Sequence, residues 1–291
     1  MTIQWFPGHM TRARRKIEEK LSMIDVVIEL LDARIPLASR NPMVDAIVKE
    51  KPRVILLNKA DLADAETTRA WERALSGDGR QAIALNSTTG RPMEKIAPVC
   101  KALLSDKIEA QIRKGMVPRP IRALIVGIPN VGKSTLINTL AGKGIAATGD
   151  KPGVTKAQQW IKTDAGIDLL DTPGILWPKF EDQMVGYLLA ITGAIKEEIL
   201  YLDDIAFYAV KELIRSYPER LMERYELDEL PEVDDQDPHP IVEVMEKIGR
   251  RRGCVVSGGK VDLTKTASVL LRDLRSGALG RISLERPSNM E

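Results

Sequence analysis

Aromatic side chains are scarce, at 4% of the 291 residues, which argues against binding by stacking on many unpaired bases. Cysteine is nearly absent. Cys100 and Cys254 stand far apart and in no metal-ligand spacing, which excludes a disulfide framework and predicts free thiols in a reducing compartment. Histidine is equally rare, with only His9 and His239. No window approaches the ~18 apolar residues of a membrane span, and the first residues lack the apolar stretch of a secretory leader. A cytoplasmic protein with no membrane partner is expected. Net charge is +2, too small to imply nucleic acid by itself.

What is present is ordinary in amount and uneven in distribution. Hydrophobic residues are 44% and charged residues 29%, as in a globular chain able to hold one large or two modest domains. Arg12, Arg14, Arg15, Lys16 and Lys20 make a basic face near the start. An acidic stretch from Glu223 to Asp237 is followed by Lys247, Arg250, Arg251 and Arg252. Such clusters become RNA contacts only where they converge in space.

Continuous apolar strands alternate with helical stretches through the first part. Strands are expected at Val26–Asp32, Arg53–Leu57, Ala82–Leu85 and Ile121–Val126, with a pair at Gln159–Ile161 and Asp168–Leu170. A basic helix is expected over 10–23, others over Pro42–Lys49, 64–76 and Lys133–Leu140, and one long helix over 92–114. This is the pattern of a parallel sheet covered on both faces. Beyond Trp177-Pro178 the pattern turns helical, with Gly277 as a helix stop. The expected organisation is an α/β domain over 1–178 and an all-α domain over 179–291.

Gly127-Ile128-Pro129-Asn130-Val131-Gly132-Lys133-Ser134 is a G-x-x-x-x-G-K-S phosphate loop between a strand and a helix, the context the motif requires. Its backbone N–H groups and helix N-terminus suit phosphate. Asn130, Val131, Gly132 and Thr135 line the expected cradle. Lys133 is expected on the β- and γ-phosphates, and the Ser134 hydroxyl on Mg²⁺. Asn58-Lys59-Ala60-Asp61 is an N-K-x-D motif directly behind a strand. Asp61 can accept from guanine N1–H and the exocyclic amine, a donor pair that adenine lacks. Asn86-Ser87 follows the third strand, where a backbone N–H would contact guanine O6. In an ordinary small GTPase the phosphate loop comes first. Here the guanine motif does, so a circularly permuted Ras-like P-loop GTPase domain is expected, binding GTP and GDP.

Asp171-Thr172-Pro173-Gly174 is a D-x-x-G motif. Asp171 is expected to hold Mg²⁺ through water, and the Gly174 N–H to sense the γ-phosphate, making a switch. Thr155 is the candidate for the other switch, on Mg²⁺ and the γ-phosphate. Ile175 stands where Ras-like enzymes place a water-orienting glutamine, so hydrolysis is expected to be slow in isolation. Two sources of help are open: His9 as the catalytic group, and a K⁺ at Asn130 supplying charge beside the phosphates.

Together these residues resemble the circularly permuted GTPases of the ribosome biogenesis GTPase A type (YlqF-like). Trp5-Phe6-Pro7-Gly8-His9-Met10, Leu31-Asp32-Ala33-Arg34-Ile35-Pro36, the Asn58 motif, Gly127 to Ser134, Gly153-Val154-Thr155 and Asp171 to Gly174 occur in family order over nearly the whole chain. The hydrophobic Ile175 is a family mark too. The resemblance implies a GTP-hydrolysing assembly factor that binds the large ribosomal subunit precursor and its rRNA, is stimulated by that particle, and uses His9 in catalysis. A GTPase of another RNA-related task, such as tRNA modification, is the alternative. Asp32-Ala33-Arg34 is part of the signature, without a physical role that the sequence assigns.

Overall fold

The computed structural model describes residue 15 and residues 17–141, 160–172, 182–195 and 201–288. The chain divides into two units, one of Met1–Glu181 with Glu285–Glu291, the other of Asp182–Leu284.

The first unit is built on a 6-stranded sheet in the order β3-β2-β1-β4-β6-β5. Its strands are β1 (Val26–Asp32), β2 (Arg53–Asn58), β3 (Arg80–Ala84), β4 (Ile121–Gly127), β5 (Trp160–Lys162) and β6 (Ile167–Leu170). All neighbours pair in parallel except β5 with β6. Every residue of β1 and β2 is buried, because a central parallel strand is covered on both faces and cannot alternate. From β1 the chain steps outward through β2 and β3, then returns to place β4 on the other side of β1. The order therefore reverses between β1 and β4. In open α/β sheets such a reversal opens a crevice beyond the carboxyl ends of the strands, where ligands bind.

Helix α1 (Pro42–Val48) starts from Asn41, whose Oδ1 accepts the Met43 N–H at 2.9 Å. Helix α2 (Ala65–Ala74) starts from Asp64, which accepts the Thr67 N–H at 2.8 Å. Both are side-chain N-caps satisfying otherwise unpaired helix donors. The single long helix expected over 92–114 is instead two, α3 (Pro92–Leu103) and α4 (Ser105–Arg113), broken at Leu104. The buried stripe Pro92, Ile96, Cys100, Leu104 ends there, and α4 has no fully buried residue, so little packing holds the second stretch in line with the first. Burial pushes the Cys100 thiol up to about 12, leaving an inert apolar group. Helix α5 (Lys133–Ala141) follows the phosphate loop.

The second unit consists of α6 (Gln183–Ile191), α7 (Leu202–Ser216), α8 (Pro218–Tyr225), α9 (His239–Arg251) and α10 (Leu263–Ser276). Its core joins Ile205, Ala209, Val210 and Leu213 of α7 to Ala267, Leu270, Leu271 and Leu274 of α10. Asp262 caps α10 by accepting the Lys265 N–H at 2.9 Å. Gly277 ends it with φ 79, a left-handed conformation that glycine adopts without strain. His239 is exposed. The helical domain was expected to run to residue 291, but Glu285–Glu291 belongs to the first unit. The physical cause is the Glu285 carboxylate, which accepts the Leu37 N–H at 2.7 Å and the Ala38 N–H at 2.9 Å, while its carbonyl accepts Trp71 Nε1–H at 3.1 Å.

Candidate functional site

Four strand ends converge on the crevice side of the sheet. Asn58 closes β2 and opens the N-K-x-D loop, Asn86 and Ser87 follow β3, Gly127 closes β4, and Asp171 follows β6. Parallel strands deliver all of these loops to one edge, whatever their order in the chain.

The loops are cross-tied. Asn58 Nδ2 donates to the Val131 carbonyl at 2.7 Å, and its Oδ1 accepts from Ser87 N at 3.0 Å and Ser87 Oγ at 2.6 Å. Asn58 is 2% exposed, and these bonds fill three of the four hydrogen-bonding positions of a buried amide. Lys59, at φ 59, donates Nζ–H to the Asn130 carbonyl at 3.1 Å. Ala60 N–H donates to the Leu85 carbonyl at 3.2 Å. Asp61, the residue expected to read the base, is exposed. Asn86 holds its own loop, its Oδ1 accepting from Thr88 N at 2.8 Å. From the far side, Thr139 Oγ1 donates to the Ser87 carbonyl at 2.8 Å, a brace that the sequence did not suggest.

The phosphate loop needs its glycines. Gly132 has φ +102, and a Cβ there would collide with Asn58 Nδ2. A Cβ on Gly127 would lie 2.9 Å from the Leu30 carbonyl oxygen. Lys133 opens α5 with Nζ donating to the carbonyls of Gly127 at 3.0 Å and Ile128 at 3.1 Å. Burial pulls its ammonium down to about 8, against the opposing charge of Asp171. Burial likewise pushes Asp171 up to about 6, with Lys133 opposing. Asp171 is 1% exposed, and its Oδ2 accepts no hydrogen bond among the described residues. An orphaned carboxylate oxygen beside a buried ammonium fits a divalent cation of hard, oxygen-seeking character. Ser134 and Thr135, half-buried in the first turn of α5, complete this part of the cradle. Next to Asp171, Thr172 Oγ1 donates to the Ile125 carbonyl at 2.6 Å, fixing the loop to β4.

Of the expected site residues, Asn58, Lys59, Ala60, Asp61, Asn86, Ser87, Asn130, Val131, Gly132, Lys133, Ser134, Thr135 and Asp171 lie on these four loops or on the strand end and first helical turn that flank them. His9, Thr155 and Gly174 lie outside the described residues, as do Ile175 and residues 10–14 of the expected basic helix.

The comparisons with known proteins agree with this arrangement. A profile described as 50S ribosome-binding GTPase matches residues 122–247. That stretch opens on β4 and contains the phosphate loop and Asp171, with Asn58–Asp61 lying before it, as the permuted order requires. The ribosome biogenesis GTPase A of Bacillus cereus is 57% identical over 287 residues, 99% of this chain and 95% of that protein. The chain belongs to the ribosome biogenesis GTPase A family. It is a GTP-hydrolysing enzyme of ribosome biogenesis. The ribosome biogenesis GTPase A of Thermotoga maritima is 31% identical over 99% of this chain and 96% of its own length. The crystal structure of GNP-bound YlqF from T. maritima has a TM-score of 0.62 and 28% identity, covering 95% of this chain and 99% of that one. The GDP-bound structure of TM YlqF gives a TM-score of 0.64.

The Asp32-Ala33-Arg34 segment now has a geometry. Asp32 ends β1 in register with Asn58. Arg34 Nε donates to Asp32 Oδ1 at 2.9 Å and Nη2 to Oδ2 at 2.8 Å. Both residues are buried. An acid at a strand end with an arginine two residues on was the only sequence signal for this pair. Among the described residues no helix is long and apolar enough to cross a membrane.

Proposed function

We propose that the chain is an assembly factor of the large ribosomal subunit. It binds the precursor particle and its rRNA in the GTP state and leaves after hydrolysis. What carries the reading is the convergence of a guanine motif, a phosphate loop and a buried Asp171 on one crevice, tied together through Asn58. The 50S ribosome-binding description of the matching profile is in keeping with that target.

In this reading Asp61 accepts from the guanine edge, with the stem of Lys59 against the base plane, and the backbone at Asn86–Ser87 contacts the guanine oxygen. The N–H groups of Asn130–Thr135 and the ammonium of Lys133 take the phosphate oxygens. Ser134 and Asp171 would hold Mg²⁺, which when bound neutralises charge developing on the phosphate oxygens. Thr155 and Gly174 sense the γ-phosphate, and its loss repositions the helical unit, which follows Gly174 closely in sequence. Ile175 leaves no side chain to orient water. His9 takes that catalytic role, and a K⁺ at Asn130 adds positive charge.

The test is GTP turnover with and without purified large ribosomal subunits, in potassium and in sodium buffer. The expected result is strong stimulation by the subunit, larger in potassium. Equal turnover with and without subunits would remove the large-subunit target. Equal affinity of the precursor for the GTP-analogue and GDP forms would remove the release step.

A further inference from the structure

Beyond the motif residues, one buried charge cluster touches the guanine side of the site. Asp32 is 3% exposed and Arg34 2%. Arg34 grips Asp32 three times: through the two guanidinium bonds and through its own backbone N–H, which donates to Oδ1 at 3.1 Å. Asp32 Oδ2 also lies 3.1 Å from Lys59 Nζ, and that same Nζ donates to the Asn130 carbonyl. The surrounding loop is rigidly held. Ser39 Oγ accepts the Asp32 N–H at 2.9 Å and donates to the Pro36 carbonyl at 3.2 Å, and Glu285 clasps the next amides.

A buried ion pair is a poor device for stability alone, since well-packed apolar residues of similar volume often serve as well. This pair has a third partner, and that partner belongs to the guanine motif. Arg34 also lies within electrostatic reach of Asp61. The carboxylate of Asp32 therefore stands between two cations, Arg34 and Lys59.

We propose that Asp32, buttressed by Arg34, is a positioning residue for guanine recognition. It fixes the Lys59 ammonium over the phosphate loop. Base recognition and the phosphate loop are thereby joined through one carboxylate. The inference rests on the assignment of Asn58–Asp61 as the guanine motif.

The test uses the full chain and fluorescent GDP, with unlabelled GDP and IDP as competitors. IDP lacks the exocyclic amine that Asp61 is proposed to read. D32N should weaken GDP binding by about tenfold or more, the scale of a lost hydrogen bond to a charged group. It should also narrow the preference for GDP over IDP. D32N combined with K59M should bind no more weakly than K59M alone, because Asp32 acts through Lys59. If D32N proves unstable in thermal melts, the paired change D32N/R34Q removes the unpartnered cation and carries the same lysine prediction. Unchanged GDP affinity, or additive losses with an unchanged GDP-to-IDP ratio, would overturn the proposal. A wild-type chain that binds no GDP, with K133A behaving identically, would instead remove the underlying site assignment.

Discussion

Asn58 Nδ2 donates to the Val131 carbonyl at 2.7 Å across a sequence separation of 73 residues. The bond joins the guanine motif to the phosphate loop, and the other end of the same amide holds Ser87. In N58A the Val131 carbonyl and the Ser87 N–H lose buried partners, each costing ~1–3 kcal/mol. The variant should melt lower and bind GDP more weakly, read by differential scanning calorimetry and by titration calorimetry. A lower melting temperature with undiminished affinity would mean that the tie serves the fold alone.

Gly132 is the position where the loop tolerates least. G132A combines a left-handed φ of +102 with a collision against Asn58. Strain of this kind costs on the order of 1–3 kcal/mol. GDP affinity should fall by roughly tenfold or more on that scale, while the far-UV circular dichroism of the sheet and helices stays as in the parent. Normal affinity would show that the loop can shift to make room.

Asp61 is exposed and free to meet a base. D61N replaces an acceptor of two hydrogen bonds by an amide. Guanine should lose and xanthine gain, because the amide can donate to the oxygen that xanthine carries in place of the amine. Competition between GTP and XTP on the variant measures it. A variant that loses both nucleotides equally would place base reading elsewhere.

Glu285 ties protein stability to pH. Burial, with help from the Asp32 charge, pushes its carboxyl from 4.5 up to about 7, despite the amides of Ala38 and Leu37. The folded chain thus holds the proton more tightly than the unfolded one. The resulting stability is fully present below 4.5 and is lost as pH rises through about 7. In E285Q this dependence is gone. The melting temperature of E285Q minus that of the parent should therefore grow more positive from pH about 5 to about 8. A difference that stays constant over that range would contradict the shift.

Much of this was legible in the sequence. β1, β2 and β4 are apolar runs ending in chemistry-bearing residues, because parallel strands must be buried and must deliver their loops to one edge. The phosphate loop and N-K-x-D follow fixed spacings, so Asn58 and Lys133 could be named without coordinates. The break at Leu104 was not legible: nothing local stops the helix there, and only the end of buried packing does. Nor was the role of Asp32 and Arg34, whose meaning depends on Lys59 arriving from the neighbouring strand. Glu285 was hidden for a similar reason. Its partners Leu37 and Ala38 are brought to it by long-range topology, which periodicity does not encode.

The return of Glu285 to the first unit changes how the gene can be cut. A version stopped before Asp182 would shed the helices and, with them, the acceptor for Leu37, Ala38 and Trp71. Those three donors would be stranded beside the very loop that carries Asp32. The helices are thus an insertion within the sequence of the first unit, which supplies chain on both sides of them. Excising them requires rejoining the chain ahead of Asp182 to Glu285, with the last residues kept.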